Sequence, residues 1–110
     1  MSRGPCRAPG VSPSVGGMGV ALVTGSSRGL GRVIARRLAR DGFAVAVNGR
    51  HDDADLKTAA EGILAEGGRA AAFAADVTDR RQVGELVDAV TALLGPIGVL
   101  VLNATGPQPE

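Results

Sequence analysis

A glycine-rich segment at residues 24–31 constrains the fold of this chain more than any other feature. It has the sequence Thr-Gly-Ser-Ser-Arg-Gly-Leu-Gly and follows a short apolar run at residues 20–23. An amphipathic stretch begins near Leu30, directly after the glycines. This order predicts a buried strand, then a tight turn, then a helix that begins at the turn.

The three glycines of this segment differ in what each allows the backbone to do. Gly25 allows the chain to leave the strand tightly, and Gly29 allows main chain to approach a ligand without an intervening Cβ. Gly31 allows the helix to pack closely on the strand. The N–H groups at the helix start would then face an anion, so the segment predicts a dinucleotide phosphate site. The alternative is a glycine loop that binds nothing.

Strands and helices alternate along the rest of the chain. Apolar runs predict strands at residues 19–23, 43–47, 70–75 and 99–102. Helical periods predict helices at residues 29–40, from Asp52 or Asp53 to Gly67, and from Thr78 or Asp79 to Gly95. The apolar positions of these helices are Leu30, Val33, Ile34 and Leu38 in the first, Leu56, Ala59, Ala60, Ile63 and Leu64 in the second, and Val83, Leu86, Val87, Val90 and Leu94 in the third.

This pattern predicts the fold class. The strand runs do not alternate in polarity, so we expect helices to cover both faces of the sheet. The predicted fold is α/β: a Rossmann-type, doubly wound parallel sheet with right-handed crossovers. It is incomplete, with about four strands and three helices, and would leave a strand edge and apolar surface uncovered. We therefore expect a truncated domain that is only marginally stable alone.

Composition limits the class of protein. The chain has 110 residues, of which 45% are hydrophobic and 21% charged, with a net charge of +1; these values suit one globular domain. No basic stripe with interleaved aromatic residues is present, and no apolar run has the length of a membrane span. Neither nucleic acid nor a membrane is therefore an expected partner. Cys6 is the single cysteine, which favours a reducing, cytoplasmic location.

The first 17 residues differ from the remainder. They contain three prolines, four glycines and three serines and have no helical or strand period. This composition predicts a disordered tail, or a true start at Met18, rather than a targeting peptide. Residues 18–110 then form the dinucleotide-binding portion, which ends before any catalytic segment.

From residue 18 to about residue 106 the sequence resembles the short-chain dehydrogenase/reductase family. The family pattern is Thr-Gly, three residues, Gly, one residue, Gly, and it is matched by Thr24, Gly25, Gly29 and Gly31. The surrounding sequence is most similar to reductases of 3-oxoacyl chains on acyl carrier protein. The resemblance implies that a nicotinamide dinucleotide binds here and exchanges hydride with a carbonyl or alcohol substrate.

The resemblance also implies a set of cofactor-binding residues. Asp76 and Val77 match an acidic and apolar pair that contacts adenine, although Asp76 could instead open the third helix. Asn103 and Ala104 match part of an Asn-Asn-Ala-Gly segment, in which Thr105 replaces the glycine here; Asn103 would hydrogen-bond across the sheet. The full set is Thr24, Gly25, Ser27, Arg28, Gly29, Leu30, Gly31, Arg50, Asp76, Val77, Asn103 and Ala104.

The residues after the second strand favour NADP(H) over NAD(H). NAD enzymes place a carboxylate there for the ribose 2′-hydroxyl, whereas an arginine accommodates a 2′-phosphate. The tip here has the sequence Asn-Gly-Arg and ends at Arg50, and Arg28 precedes the second glycine of the motif. Asp52 and Asp53 are the alternative carboxylates, but they lie several residues past the strand and are interpreted as helix caps. His51 has no partner motif, so no metal site is expected.

The family's catalytic residues have no counterpart in this sequence. The resemblance implies a tyrosine acid, a lysine four residues later, a serine and an asparagine, which all lie beyond the fourth strand in the family. The chain has no tyrosine, and Lys57 is its only lysine. We assign no catalytic residue and expect no reductase turnover from these 110 residues. A carbonyl substrate and a homo-oligomer are expected only of a full-length parent.

Three hypotheses therefore remain open for the function of the chain. It is the cofactor-binding part of an NADP-dependent reductase, a non-catalytic nucleotide-binding or interaction module, or a degenerate product that does not fold stably.

Overall fold

The computed structural model describes residues 18–103, and these form one parallel sheet with helices on both faces. The elements are β1 Val20–Val23, α1 Gly29–Arg40, β2 Ala44–Gly49, α2 Ala54–Ala65, β3 Arg69–Ala74, α3 Arg80–Leu94 and β4 Ile97–Val101. The strand order is β3-β2-β1-β4, and every pairing is parallel. The predicted α/β class, an incomplete Rossmann-type sheet, is confirmed. The predicted disorder of residues 1–17 lies outside the described residues.

The local signals for helix ends agree with the structure. The carboxylates of Asp53 and Asp79 accept hydrogen bonds from the backbone N–H groups of Leu56 and Arg81, so these two aspartates cap α2 and α3. Strand bounds shift slightly from those expected: β2 continues to Gly49, and β4 begins at residue 97. The interpretation of Asp53 as a helix cap is therefore confirmed.

The core lies on both sides of the two central strands. On one face, α1 and α2 pack against Val23, Val45 and Val47. On the other, α3 packs against Leu22 and Ala46. Strands β1 and β2 are buried along their whole length, and the glycine turn and the loop to α2 follow their carboxyl ends.

Helices cover both faces of the central strands, as expected, whereas the outer strands keep the exposed apolar surface expected of an incomplete sheet. Side chains of β4 alternate between half-buried and exposed, and Leu100 is 54% exposed. In β3, Ala72 and Ala74 are exposed. Both strands lie at the margins of the described sheet, and the three helices bury only part of each.

Of the apolar helix positions named from the sequence, four are exposed rather than packed on the sheet: Leu30, Val33, Leu64 and Val87. The buried face of α1 centres on Gly31 and Ala35, and Leu30 and Val33 lie outside it. Ile34 and Leu38 are partly buried against the core.

An ion-pair cluster joins the C-terminal end of α2 to α1. The carboxylate of Glu66 accepts hydrogen bonds from the guanidinium groups of Arg40 and Arg36. These bonds, that of Arg40 first, lower the pKa of the Glu66 carboxyl below its ordinary value.

We expect Glu66→Gln to lower the free energy of unfolding at neutral pH, and this deficit to disappear in acid. A carboxyl whose pKa is lowered by folding adds stability above its unfolded-state pKa and loses it as the pH falls through the folded-state value. Urea unfolding of both proteins from neutral to strongly acidic pH measures the effect. Glu61→Gln, at an exposed position of α2, is the control; a deficit that does not depend on pH would contradict the prediction.

Candidate functional site

The turn between β1 and α1 leaves the start of a helix without a capping side chain. Gly25 and Gly29 have φ of 62° and 64°, a left-handed conformation that glycine adopts without steric cost. Arg28, the N-cap of α1, makes no side-chain capping bond, and the first turn of the helix contains no acidic residue. The N–H groups of that turn and the positive end of the helix dipole can therefore act on an external anion.

Two glycines of the turn serve different purposes. A Cβ built on Gly31 would clash with the Gly25 carbonyl oxygen and lie 2.6 Å from Nδ2 of Asn103. A Cβ built on Gly29 would meet no protein atom within 4 Å. Packing therefore requires glycine at position 31, whereas at position 29 the backbone conformation requires it and the space beside it is open.

The residue that follows β4 is tied to the glycine turn. Asn103 donates a hydrogen bond from Nδ2 to the carbonyl oxygen of Gly25 at 3.1 Å, and its backbone N–H donates to Oγ1 of Thr24 at 2.9 Å. Thr24 is itself buried. The expectation that Asn103 hydrogen-bonds across the sheet is confirmed, while Ala104 lies outside the described residues.

A buried polar pair beneath the turn was missed by the sequence analysis. Asn48, which is 1% exposed, accepts a hydrogen bond from the Gly25 N–H and donates to the carbonyl oxygens of Phe73 and Ala75. Ser26 is fully buried, and its hydroxyl oxygen accepts from the Asn48 N–H at 2.9 Å. The available signal was a polar residue directly after an apolar strand run. These bonds join the ends of β1, β2 and β3.

Both arginines expected near a 2′-phosphate form ion pairs in the structure. Nη1 of Arg28 lies 3.6 Å from the carboxylate of Asp55, which is in the first turn of α2. Nη2 of Arg50 lies 3.4 Å from the carboxylate of Asp76. The side chains of Arg28 and Arg50 are 81% and 54% exposed, so neither is committed to the protein interior.

Asp76 anchors the turn that leads into α3. Its Oδ1 accepts hydrogen bonds from the backbone N–H and the hydroxyl of Thr78, at 2.9 Å and 2.6 Å. These bonds, and then the charge of Arg50, lower the pKa of the Asp76 carboxyl. Through these bonds Asp76 stabilises the turn between β3 and α3. Val77 is partly buried against the apolar cluster beneath α3.

Of the other two residues of the expected set, Ser27 is partly buried and Leu30 is exposed. Ser27 contacts the tip of β2: a Cβ built on Gly49 would lie 3.2 Å from the Cβ of Ser27. Leu30 is 67% exposed. Within residues 18–103 no group of three or more His, Cys, Asp or Glu side chains is arranged to hold a metal ion. Nor does that part of the chain contain a helix with the length and apolar character needed to cross a membrane.

Comparison with known proteins identifies the family. A family model described as short chain dehydrogenase matches residues 19–110. The chain belongs to the short-chain dehydrogenase family. Gluconate 5-dehydrogenase of Gluconobacter oxydans is 45% identical over 84 residues, which are 76% of this chain and 32% of that protein. The 3-oxoacyl-(acyl-carrier-protein) reductase of Staphylococcus epidermidis is 42% identical over 84 residues, 76% of this chain and 34% of the relative.

Solved structures of this family share the arrangement of the described elements. An actinorhodin polyketide ketoreductase variant with NADPH has a TM-score of 0.75 and 40% sequence identity, and the match covers 80% of this chain and 33% of that one. A metagenomic short-chain oxidoreductase in complex with NADP has a TM-score of 0.74 and 38% identity, with coverage of 80% and 39%. The chain spans about a third of the length of each of the two curated relatives named above.

Proposed function

We propose that this chain forms the NADP(H)-binding part of an oxidoreductase that transfers hydride between the cofactor and a carbonyl or alcohol group. The observation that carries the proposal is the uncapped start of α1, which follows a turn with positive φ at Gly25 and Gly29. Membership of the family, and relatives whose structures contain NADP or NADPH, support it. The similarity to a 3-oxoacyl reductase favours a 3-oxoacyl thioester as substrate.

The residues of the carboxyl edge fit such a cofactor. The turn from Gly25 to Gly31 and the first N–H groups of α1 would hold the pyrophosphate. Asp76 and Val77 would contact the adenine, and Asn103 fixes the floor through its bond to Gly25. When bound, the nicotinamide ring supplies or accepts the hydride. The residues described here bind and orient the cofactor and do not themselves transfer a proton.

The distribution of charge favours the phosphorylated cofactor. The tip of β2 has no carboxylate: Asn48 is neutral and buried in hydrogen bonds to backbone, and Gly49 and Arg50 follow it. Asp53 is engaged as the cap of α2. Arg28 and Arg50 are exposed cations on neighbouring segments, and a guanidinium keeps its charge at any working pH.

We expect the chain to bind NADPH more tightly than NADH, and Arg28→Ala and Arg50→Ala each to weaken NADPH binding about tenfold or more. A charge-assisted hydrogen bond contributes roughly 1.5–3 kcal/mol, and 1.4 kcal/mol corresponds to about a factor of ten in affinity. NADH lacks the 2′-phosphate, so its affinity should be nearly unchanged. Calorimetric titration of both cofactors measures the dissociation constants.

Arg37→Ala is the matched control for this titration. Arg37 is 75% exposed and pairs with Asp41 at the far end of α1, so the substitution removes an equivalent cation away from the turn. Equal affinity of the wild type for NADH and NADPH would contradict the assignment. So would an unchanged ratio in both arginine variants, and Asp52 or Asp53 would then be the better candidate for recognising the ribose.

A further inference from the structure

Three segments of the chain meet around Gly49 at the tip of β2. A Cβ built on Gly49 would lie 3.2 Å from the Cβ of Ser27 and 3.5 Å from Cδ1 of Leu56. Arg28 follows the first of these neighbours in the chain, and Asp55 precedes the second. The start of α2 is therefore close to the backbone of both arginines proposed to bind the 2′-phosphate, Arg28 and Arg50.

Asp55 contributes an anion to this group of cations. Its carboxylate is 52% exposed and lies 3.6 Å from Nη1 of Arg28. The cap of α2 is formed by Asp53, which accepts from the Leu56 N–H at 3.0 Å. Asp55 is therefore not needed as a cap, and its carboxylate is ion-paired with Arg28.

We propose that Asp55 is a positioning residue that limits the preference for NADP(H), because it competes with the 2′-phosphate for Arg28. This inference rests on the proposed function. A carboxylate and a phosphate that approach the same guanidinium repel each other and share its attraction. NADH carries no 2′-phosphate, so its binding does not include this competition. Neutralising Asp55 should therefore increase the preference for NADPH rather than the affinity for both cofactors.

The test is the ratio of the NADH and NADPH dissociation constants in the full 110-residue chain. It is measured for the wild type, Asp55→Asn, Arg28→Gln and the double variant. Adenosine 2′,5′-bisphosphate and 5′-AMP are titrated in parallel, because they differ at the 2′-phosphate and lack nicotinamide. We expect Asp55→Asn to raise the preference about two- to fivefold, the range of exposed ion pairs. We expect the double variant and Arg28→Gln to have the same ratio, because without the Arg28 guanidinium Asp55 has no cation to compete for. The double-mutant cycle thus isolates the contribution of the pair.

Glu61→Gln, which removes one negative charge from an exposed position of the same helix, is the control. The inference is overturned if Asp55→Asn leaves the ratio of the NADH and NADPH dissociation constants unchanged. It is also overturned if Asp55→Asn raises this ratio equally in the Arg28→Gln background, or if Glu61→Gln raises it as much. Circular dichroism checks that each variant is folded, and Asp55→Ser replaces Asp55→Asn if the latter unfolds. A wild-type chain that binds none of the four ligands overturns the proposed function itself, whereas binding without an effect of Asp55 overturns only this inference.

Discussion

Gly31→Ala should lower the free energy of unfolding by about 3 kcal/mol, at the upper end of the cost of overpacking a core. The added methyl group would clash with the Gly25 carbonyl oxygen and lie 2.6 Å from Nδ2 of Asn103. The first of these is a backbone atom in the turn, and the second is held by its own hydrogen bond to that same carbonyl. Neither can move without disturbing the turn, so cofactor affinity should be lost together with stability. Urea unfolding and NADPH titration measure the two effects.

Gly84→Ala is the matched control and should change stability in the opposite direction. Gly84 lies inside α3, and a Cβ built there would meet no atom within 4 Å. Alanine in a helix interior is favoured over glycine by roughly 0.5–1 kcal/mol, so the variant should be more stable than the wild type. If both substitutions destabilised the chain equally, the clash at Gly31 would not be the cause.

The sequence predicted the order and type of the elements because the signals for their ends are local. Gly42 and Gly67 follow α1 and α2 with φ of 111° and 88°, a conformation that other residues adopt only at a cost. Asp53 and Asp79 cap the next helices through bonds that span two or three residues. Such contacts are determined by neighbouring residues, so they can be recognised without knowledge of the fold.

The sequence predicted that some apolar surface of the sheet would be uncovered, but not which residues of the outer strands would be exposed. Ala72 in β3 is as apolar as Ala21 in β1, yet the former is exposed and the latter is fully buried. Both lie in short apolar runs, and an apolar run shows only that its residues can be buried without leaving a polar side chain unpaired. Its burial depends on which helix crosses that strand, and this is a property of the whole sheet.

The partners of the candidate site residues were unpredictable for a related reason. Arg28 pairs with Asp55 and Arg50 pairs with Asp76, and each pair joins the ends of consecutive βα units. Parallel crossovers bring such residues together across a full strand and helix, so their spacing along the chain has no recognisable period. The motif predicted where a phosphate would bind but not which acids already hold the cations.

Asn48→Asp should strongly destabilise the chain, because it places a charge inside the described sheet. Its side-chain amide donates to the carbonyl oxygens of Phe73 and Ala75, at 3.1 Å and 3.3 Å, and it is 1% exposed. Asn48→Asp retains the size of the side chain but replaces the NH₂ donor with a carboxylate oxygen that faces three carbonyl oxygens, those of Gly49, Phe73 and Ala75. The other carboxylate oxygen would keep the hydrogen bond from the Gly25 N–H, but this neutral donor does not balance the charge. A buried charge that is not compensated costs about 3–5 kcal/mol, so we expect the free energy of unfolding to fall by that amount at neutral pH.

The pH dependence of Asn48→Asp distinguishes the cost of the buried charge from the cost of the lost hydrogen bonds. Burial would raise the pKa of the introduced carboxyl above its unfolded-state value, because low polarity disfavours the charged form. The destabilisation is then fully present above the raised pKa and diminishes as the pH falls to the unfolded-state value, where the protonated group can donate one hydrogen bond. Asn48→Ala is the control: it removes the side-chain donor to these carbonyl oxygens without adding charge, so it should cost about 1–3 kcal/mol at every pH. Urea unfolding of both variants at neutral and acidic pH compares them. Equal deficits for Asp and Ala at neutral pH would mean that water reaches the carboxylate, and that the ends of β1, β2 and β3 are not joined by a dry polar cluster.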